Sequence, residues 1–389
     1  MYKTKFYALL FSILSNSLLI AQQVTDPNLA QEIRRNCPDC IDANQKLTSK
    51  AKTLDALIID AHVDKWEGFD FPRLKTFIHN NQEANSLPEN LPDGLSVLDC
   101  GFNKNLQKLP KLPSKLQVLY CSENQLRELP TLPPNLSILD CSNNQLKSLP
   151  SLPNNLEELR ARSNQIENIS TLSSKLREVD LSYNQLKTLP NLPSKLQNLA
   201  IESNLLTNLP TLPSSLVGLA CKNNPLTQLP TLPSKLLSLD CSQTQLKKLP
   251  AALPQTLISL ACHHNQLQEM PTLPDALQIL DISHNQLKTV TNLPSQLQEL
   301  NCSHNQISTL PDLLPQNLVI LTCKNNKIVQ IAQLPASLGV LDCQKNLMNK
   351  LPNLPNRLNT LYTDKDKIRC LPNLPSSLWQ GEYNSSICK

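Results

Sequence analysis

Aromatic side chains make up only 4% of the 389 residues and glycine occurs just six times. A core built on large rings is therefore excluded. Disorder is excluded as well, because 40% of the residues are hydrophobic. Charge of neither sign dominates. The net charge of +4 falls to +2 once Lys3 and Lys5 leave with the leader described below, too little for a nucleic-acid binder defined by a basic face. Past that leader no apolar run approaches the roughly 20 residues that a membrane helix needs. What is abundant is proline, with 31 residues, and cysteine, with 13. Single cores stop growing near ~250–300 residues, whereas an array of small, similar layers can be long without a thick centre.

The first five residues, Met1 to Lys5, carry two lysines, and the apolar run Phe6–Ile20 follows, ending at Ala21-Gln22-Gln23. A basic start, a short apolar stretch and a small residue before polar sequence are the marks of a secretory signal peptide. Cleavage is expected after Ala21. Ser12, Ser15, Asn16 and Ser17 interrupt the run, which argues against a membrane anchor.

A step of 20 or 21 residues aligns Leu116-x-x-Leu119-x-Cys121-x-x-Asn124-x-Leu126 with Leu136-x-x-Leu139-x-Cys141-x-x-Asn144-x-Leu146. Nine cysteines (100, 121, 141, 221, 241, 262, 302, 323 and 343) occupy the marker position, where Ala161, Leu181, Ile201 and Ile282 also stand. The position wants a small apolar group, and Cys behaves as one. Buried free thiols are expected there, because in-register parallel strands aim neighbouring Cβ atoms side by side, a poor match to disulfide geometry. Alternation around Leu-x-Cys places Leu and Cys on one face of a strand and the residue between them on the other. Leu129-Pro130-Thr131-Leu132-Pro133 and its copies exclude a helix on the return path, since each proline fixes its own φ and holds the preceding leucine extended.

This frame resembles the leucine-rich-repeat family, whose strand signature is L-x-x-L-x-L-x-x-N-x-L, over about residues 54–388. The short step and the L-P-x-L-P return are similar to bacterial members: the effectors of enteric pathogens, and secreted repeat proteins of the Bacteroidetes group. Only about 23 residues follow Asp366, which leaves no room for the ubiquitin-ligase domain that such effectors often carry. The resemblance implies a solenoid with a parallel β-sheet on its concave side, an extended, polyproline-like convex side and a small helical N-terminal cap. The expected organisation is a signal peptide (1–21), the cap (22–53), degenerate repeats (54–94), regular repeats (95–366) and a capping repeat (367–389). Weak copies are seen at Leu54-x-x-Leu57-x-Ile59, at Leu74-x-x-Phe77-x-His79-x-x-Gln82 and at Leu378-x-x-Gly381-x-Tyr383. Within the cap, Asn28–Arg35 and Gln45–Lys52 read as short helices.

The recurring asparagine, from Asn103 to Asn346, can satisfy the backbone of its own turn and of a neighbouring coil. Thr244 and Asp366 interrupt the row. Cys37 with Cys40, and Cys370 with Cys388, lie outside the marker ladder and are disulfide candidates for the two ends. A lone C-x-x-C is weak as a redox motif.

Concave positions flank the marker, as Tyr120 and Ser122 do, or Asp140 and Ser142. The recurring Asp and Ser serve the repeat, and departures from them point to a partner. Arg160 and Arg162 lie on one rung, Tyr183, Glu202 and Lys222 on the next ones, and with Tyr120 they form the candidate partner-binding set; solvated ion pairs are the alternative reading. His264, His284 and His304 share one frame position, with His263 adjacent, so a metal site or a group titrating near neutral pH is a second alternative. No Ser-His-Asp set or glycosidase-like carboxylate pair stands outside the frame, and neither enzyme activity nor a cofactor is expected. The sequence thus points to a secreted, non-catalytic scaffold that binds a protein through its concave sheet. A cell-surface spacer, an adhesin-like repeat protein and a glycan-binding module are the alternatives.

Overall fold

The computed structural model describes residues 23–80 and 84–388. The chain divides into two compact units, 1–164 and 165–389. The expected signal peptide and Gln82 lie outside the described residues.

In the first unit, helix α1 (Pro27–Asn36) begins where Asp26 Oδ1 accepts the N–H groups of Asn28 and Leu29, with Pro27 in the first turn. Asn36, at its end, donates from Nδ2 to the Ile58 carbonyl at 2.7 Å and accepts the Ile58 N–H at 3.1 Å. The helix thereby occupies hydrogen-bonding groups that an edge strand would otherwise offer to another chain. The second expected helix, Gln45–Lys52, does not form. Asp42 Oδ1 takes the N–H groups of Asn44 and Lys46, both at 2.8 Å. Gln45 turns left-handed at φ 60, and Lys46 and Leu47 bridge antiparallel to Gln23 and Ile41. The Asp side chain captures the backbone in a turn before a helix can start, leaving a short 3-10 turn at Ala51–Thr53. Cys37 and Cys40 are disulfide-bonded.

Six strands follow: β1 (Ala56–Ile58), β2 (Thr76–Ile78), β3 (Val97–Asp99), β4 (Val118–Tyr120), β5 (Ile138–Asp140) and β6 (Glu158–Arg160). They pair parallel, in register and in chain order. The middle residue of each is buried and the flanking two face outward. Leu116, Leu119, Cys121 and Leu126 are fully buried, and their counterparts in the next coil match them. Strands stay three residues long because a left-handed residue follows two positions after the marker, at Phe102, Glu123, Asn143 and Ser163, all with φ between 53 and 57. On the return path Leu136 N–H donates to Pro133 O at 3.1 Å, closing a tight turn that recurs from coil to coil.

The asparagine row holds coils together. Asn144 Nδ2 lies 2.9 Å from Cys121 O in the preceding coil and 3.0 Å from Cys141 O in its own, and its Oδ1 accepts Leu126 N–H at 2.9 Å. Beneath the first coils the repeat gives way to rings. Trp66 stands edge-on to Phe69, Phe77 and His79 at centroid separations of 5.6, 5.9 and 5.2 Å. His79 fills the marker position, buried, with Nδ1 3.1 Å from Ile59 O. Burial first, and then His62, hold this imidazole below its ordinary value despite the Ile59 carbonyl and Asp60. The unfolded chain takes up this proton near pH 6.5 while the folded one resists it. Stability from the neutral ring is therefore complete above about pH 6.5 and is lost as pH falls toward the folded-state value. Urea titrations from pH 7 to pH 5 should show His79→Leu losing less stability than the native chain; parallel losses would mean that His79 is not the acid-sensitive group.

The second unit repeats the coil eleven times: β7 (Glu178–Asp180), β8 (Asn198–Ala200), β9 (Gly218–Ala220), β10 (Ser238–Asp240), β11 (Ser259–Ala261), β12 (Ile279–Asp281), β13 (Glu299–Asn301), β14 (Ile320–Thr322), β15 (Val340–Asp342), β16 (Thr360–Tyr362) and β17 (Gln380–Glu382). All pair parallel in chain order. Where Thr244 replaces asparagine, its hydroxyl reaches only Cys241 O and Asn265 Oδ1, and Leu226 N–H turns to Asn224 O instead. Past Asn346 the row ends differently: Asp364 accepts the N–H groups of Lys345 and Asn346, and Lys367 Nζ donates to Asn346 O. Cys370 and Cys388 form the second expected disulfide, beside a bridge in which Leu371 N–H donates to Ser386 O and Cys388 N–H to Leu371 O. Gly381, at the inward position of β17, has φ +130, and a Cβ there would collide with Leu361 O.

Candidate binding surface

The outward face of each sheet is built from the first and third residues of every strand. In the first unit the third-residue row reads Ile58, Ile78, Asp99, Tyr120, Asp140, Arg160, each in register with the next. Arg160 lies 2.8 Å from Glu158 Oε2, both half-exposed on β6. Arg162 and Tyr120 are also half-exposed. The first-residue row runs Val97, Val118, Ile138, aligned across β3, β4 and β5. An apolar ridge therefore lies beside Tyr120 and the Arg160 strand. In the sequence it is the residue before each inward leucine, Val97, Val118 and Ile138.

The partner set read from the sequence is divided between the units. Tyr120, Arg160 and Arg162 belong to the first, Tyr183, Glu202 and Lys222 to the second. In the second unit Tyr183 occupies the left-handed position with φ 57 and is 46% exposed. Its N–H donates to Glu202 O at 2.7 Å, and Ser203 N–H to Lys222 O at 2.9 Å.

The expected concave serines need correction. Ser142, Ser182, Ser242, Ser283 and Ser303 are buried. Asp140 Oδ1 accepts Ser142 N–H at 3.0 Å, with equivalent bonds from Ser182, Ser242 and Ser283 to Asp180, Asp240 and Asp281. This turn folds a small side chain under the backbone, while long residues in the same position, such as Arg162 and Lys222, reach out past it. The Asp row is occupied by the repeat itself.

The histidines are ordered by the same frame. The rings of His264 and His284 stack at 4.0 Å and 14°, and those of His284 and His304 at 4.0 Å and 10°. His263 Nδ1 is 2.9 Å from His264 Nδ1. Nearly parallel rings direct their nitrogens side by side rather than at a common point. Among the described residues no group of three or more His, Cys, Asp or Glu side chains is placed to hold a metal ion.

All nine marker cysteines are free and buried. Burial raises every one of their thiols, Cys302 to about 12, and the Cys121 thiol is raised further by Cys100 and Cys141. A thiolate, the form that binds metal or attacks disulfides, is strongly disfavoured there. Among the described residues no helix is long and apolar enough to cross a membrane.

Comparison with known proteins agrees with this architecture. The family description "Leucine Rich repeats (2 copies)" matches residues 114–154, and "Leucine Rich Repeat" matches 175–199 and 296–318. No curated protein sequence matches the chain. Among solved structures, YopM from Yersinia pestis, described as a leucine-rich effector protein, is 35% identical over 79% of this chain and 88% of its own, with a TM-score of 0.72. YopM from Yersinia enterocolitica is 26% identical over 99% of this chain and 100% of its own, with a TM-score of 0.66. The functional domain of InlJ from Listeria monocytogenes, described as including a cysteine ladder, is 22% identical over 87% of this chain and 81% of its own, with a TM-score of 0.70, and shares the fold. The chain belongs to the leucine-rich-repeat family.

Proposed function

We propose that this chain is a secreted, non-catalytic scaffold that recognises a protein partner, and that in the first unit the contact surface is the outward sheet face around Tyr120, Arg160 and Arg162. Proteins of this family are generally non-catalytic binding scaffolds. The observation that carries the reading is the in-register ridge Val97, Val118 and Ile138 beside Tyr120 and the Arg160 strand. An apolar centre with aromatic and arginine neighbours is the composition of interface hot spots, and a spacer has no use for it. Tyr183, Glu202 and Lys222 are proposed as contact residues of the second unit on the same reasoning of departure from the repeat. Export through residues 1–21 belongs to the proposal.

The test is a pull-down of surface and secreted proteins on residues 22–389, with Arg160→Ala/Arg162→Ala and Val118→Glu in parallel. A partner held by the native chain should lose at least about tenfold in affinity with the double variant, as expected for removal of hot-spot arginines, and more with a charge on the ridge. Equal retention by both variants would place recognition elsewhere. No partner for any form would favour the spacer.

A further inference from the structure

The stacked histidines of the second unit have no role in that reading, and they are an unusual use of the repeat. Each sits at the left-handed position of its coil, where other coils carry Asn143, Asn223 or Asn325. The row is fixed by the backbone, since the N–H groups of His264, His284 and His304 donate to Ser283 O, Ser303 O and Lys324 O. On the exposed side His304 Nδ1 is 2.9 Å from Asn325 Nδ2.

The charged groups that act on His284 and His304 are Asp281 and Asp342 on one side of the balance and Lys324 and Lys345 on the other; Asp240, Asp281 and Lys222 act on the adjacent His263. Around His284 and His304 two carboxylates balance two ammonium groups, so the imidazoles decide the sign of the surface. Above pH 7 it is near neutral. As pH falls the rings that protonate add positive charge along the row, one coil step apart and next to Lys324 and Lys345.

We infer that the histidine row with Lys324 and Lys345 is an acid-gated binding site for a polyanionic chain, and that the ligand is a sulfated polysaccharide. His264 is exposed and His284 and His304 are half-exposed, which suits a long ligand making one charge contact per coil. An extended acidic peptide fits less well. Its side chains on one face repeat at roughly 6.5–7 Å, whereas neighbouring strands are about 4.8 Å apart, so it falls out of step after one or two coils. Stacking makes the site self-limiting. Partial burial, and then the charges of His264 and His304, hold His284 below its ordinary value, so this ring resists protonation until an anion offsets the repulsion. By linkage, a ligand that prefers the protonated row must raise its titration range.

The test is binding of heparin to residues 22–389 at pH 7.5 and pH 5.5 and constant ionic strength, with polyglutamate as a second ligand. The comparison protein is His264→Asn/His284→Asn/His304→Asn, which places in each coil a residue that neighbouring coils already carry in this conformation. The native chain should gain at least tenfold in heparin affinity at pH 5.5, and the triple variant should lose that gain while keeping its circular dichroism. In the native chain the His284 ring resonances should titrate at higher pH when heparin is present. A pH-independent affinity, or an equal gain in the triple variant, overturns the site. A polyglutamate gain as large as that for heparin overturns the choice of ligand. Arg160→Ala/Arg162→Ala should leave the heparin result unchanged, which separates this inference from the protein-recognition reading.

Discussion

Asn144→Ala is expected to destabilise the first unit by about 3–5 kcal/mol. Asn144 donates to Cys121 O, Cys141 O and Ser142 O and accepts from Leu126 N–H, all within 3.1 Å. Truncation strips partners from backbone groups in two coils, and each buried group left unpaired costs roughly 1–3 kcal/mol. Relaxation of the turn recovers part of that sum. The natural exception supplies an internal control. At Thr244 the side chain cannot span to the preceding coil, so Thr244→Asn should restore a donor toward Cys221 O and stabilise the second unit by about 1 kcal/mol, the net worth of one satisfied hydrogen bond. Urea denaturation of the two variants settles both signs. An Asn144→Ala loss under 1 kcal/mol would mean that the turn backbone is satisfied by water.

The second large effect concerns the C-terminal end. Cys370 and Cys388 close a segment with a sequence separation of 18, and for loops of this size the chain-entropy relation gives about 3 kcal/mol. In an array where each coil leans on its neighbours, that loss should appear locally. The Cys370→Ser/Cys388→Ser chain should exchange its amide hydrogens markedly faster over β16 and β17, where Gly381 supplies no inward side chain. Protection over β7 to β12 should be nearly unchanged. Uniform loss across the second unit would show instead that the disulfide governs global unfolding.

The coil itself was legible because its causes are periodic. Leu119 and Cys121 are both inward because a strand alternates, Pro130 and Pro133 forbid a helix, and Asn124 recurs where a turn needs both a donor and an acceptor. Both terminal disulfides were legible for the converse reason, since Cys37, Cys40, Cys370 and Cys388 stood outside the period. Where one side chain overrides the pattern, the sequence misled: Asp42 captured the backbone of Gln45–Lys52, and Asp140 drew Ser142 under the turn. The ring cluster around Trp66 was not foreseen, because its members come from an irregular segment and meet only in three dimensions. At the candidate surface, Arg160, Arg162 and Tyr120 were found as departures from the consensus. Val97, Val118 and Ile138 were not, because a valine or isoleucine in a strand ordinarily reports strand propensity.

The asparagine bonds point one way. Asn144, Asn204, Asn285 and Asn326 each reach back to a carbonyl and an N–H of the coil before, as Asn326 does to Cys302 O and Ile307 N–H. A coil is thus completed by its successor, and the array is a zipper with a defined direction. Shortening from the C-terminal side removes, at every cut, the asparagine that completes the last remaining coil. The residues around Asp364 and Lys367 are the stop at the open end of that zipper, and a new repeat inserted ahead of them inherits a ready-made terminus.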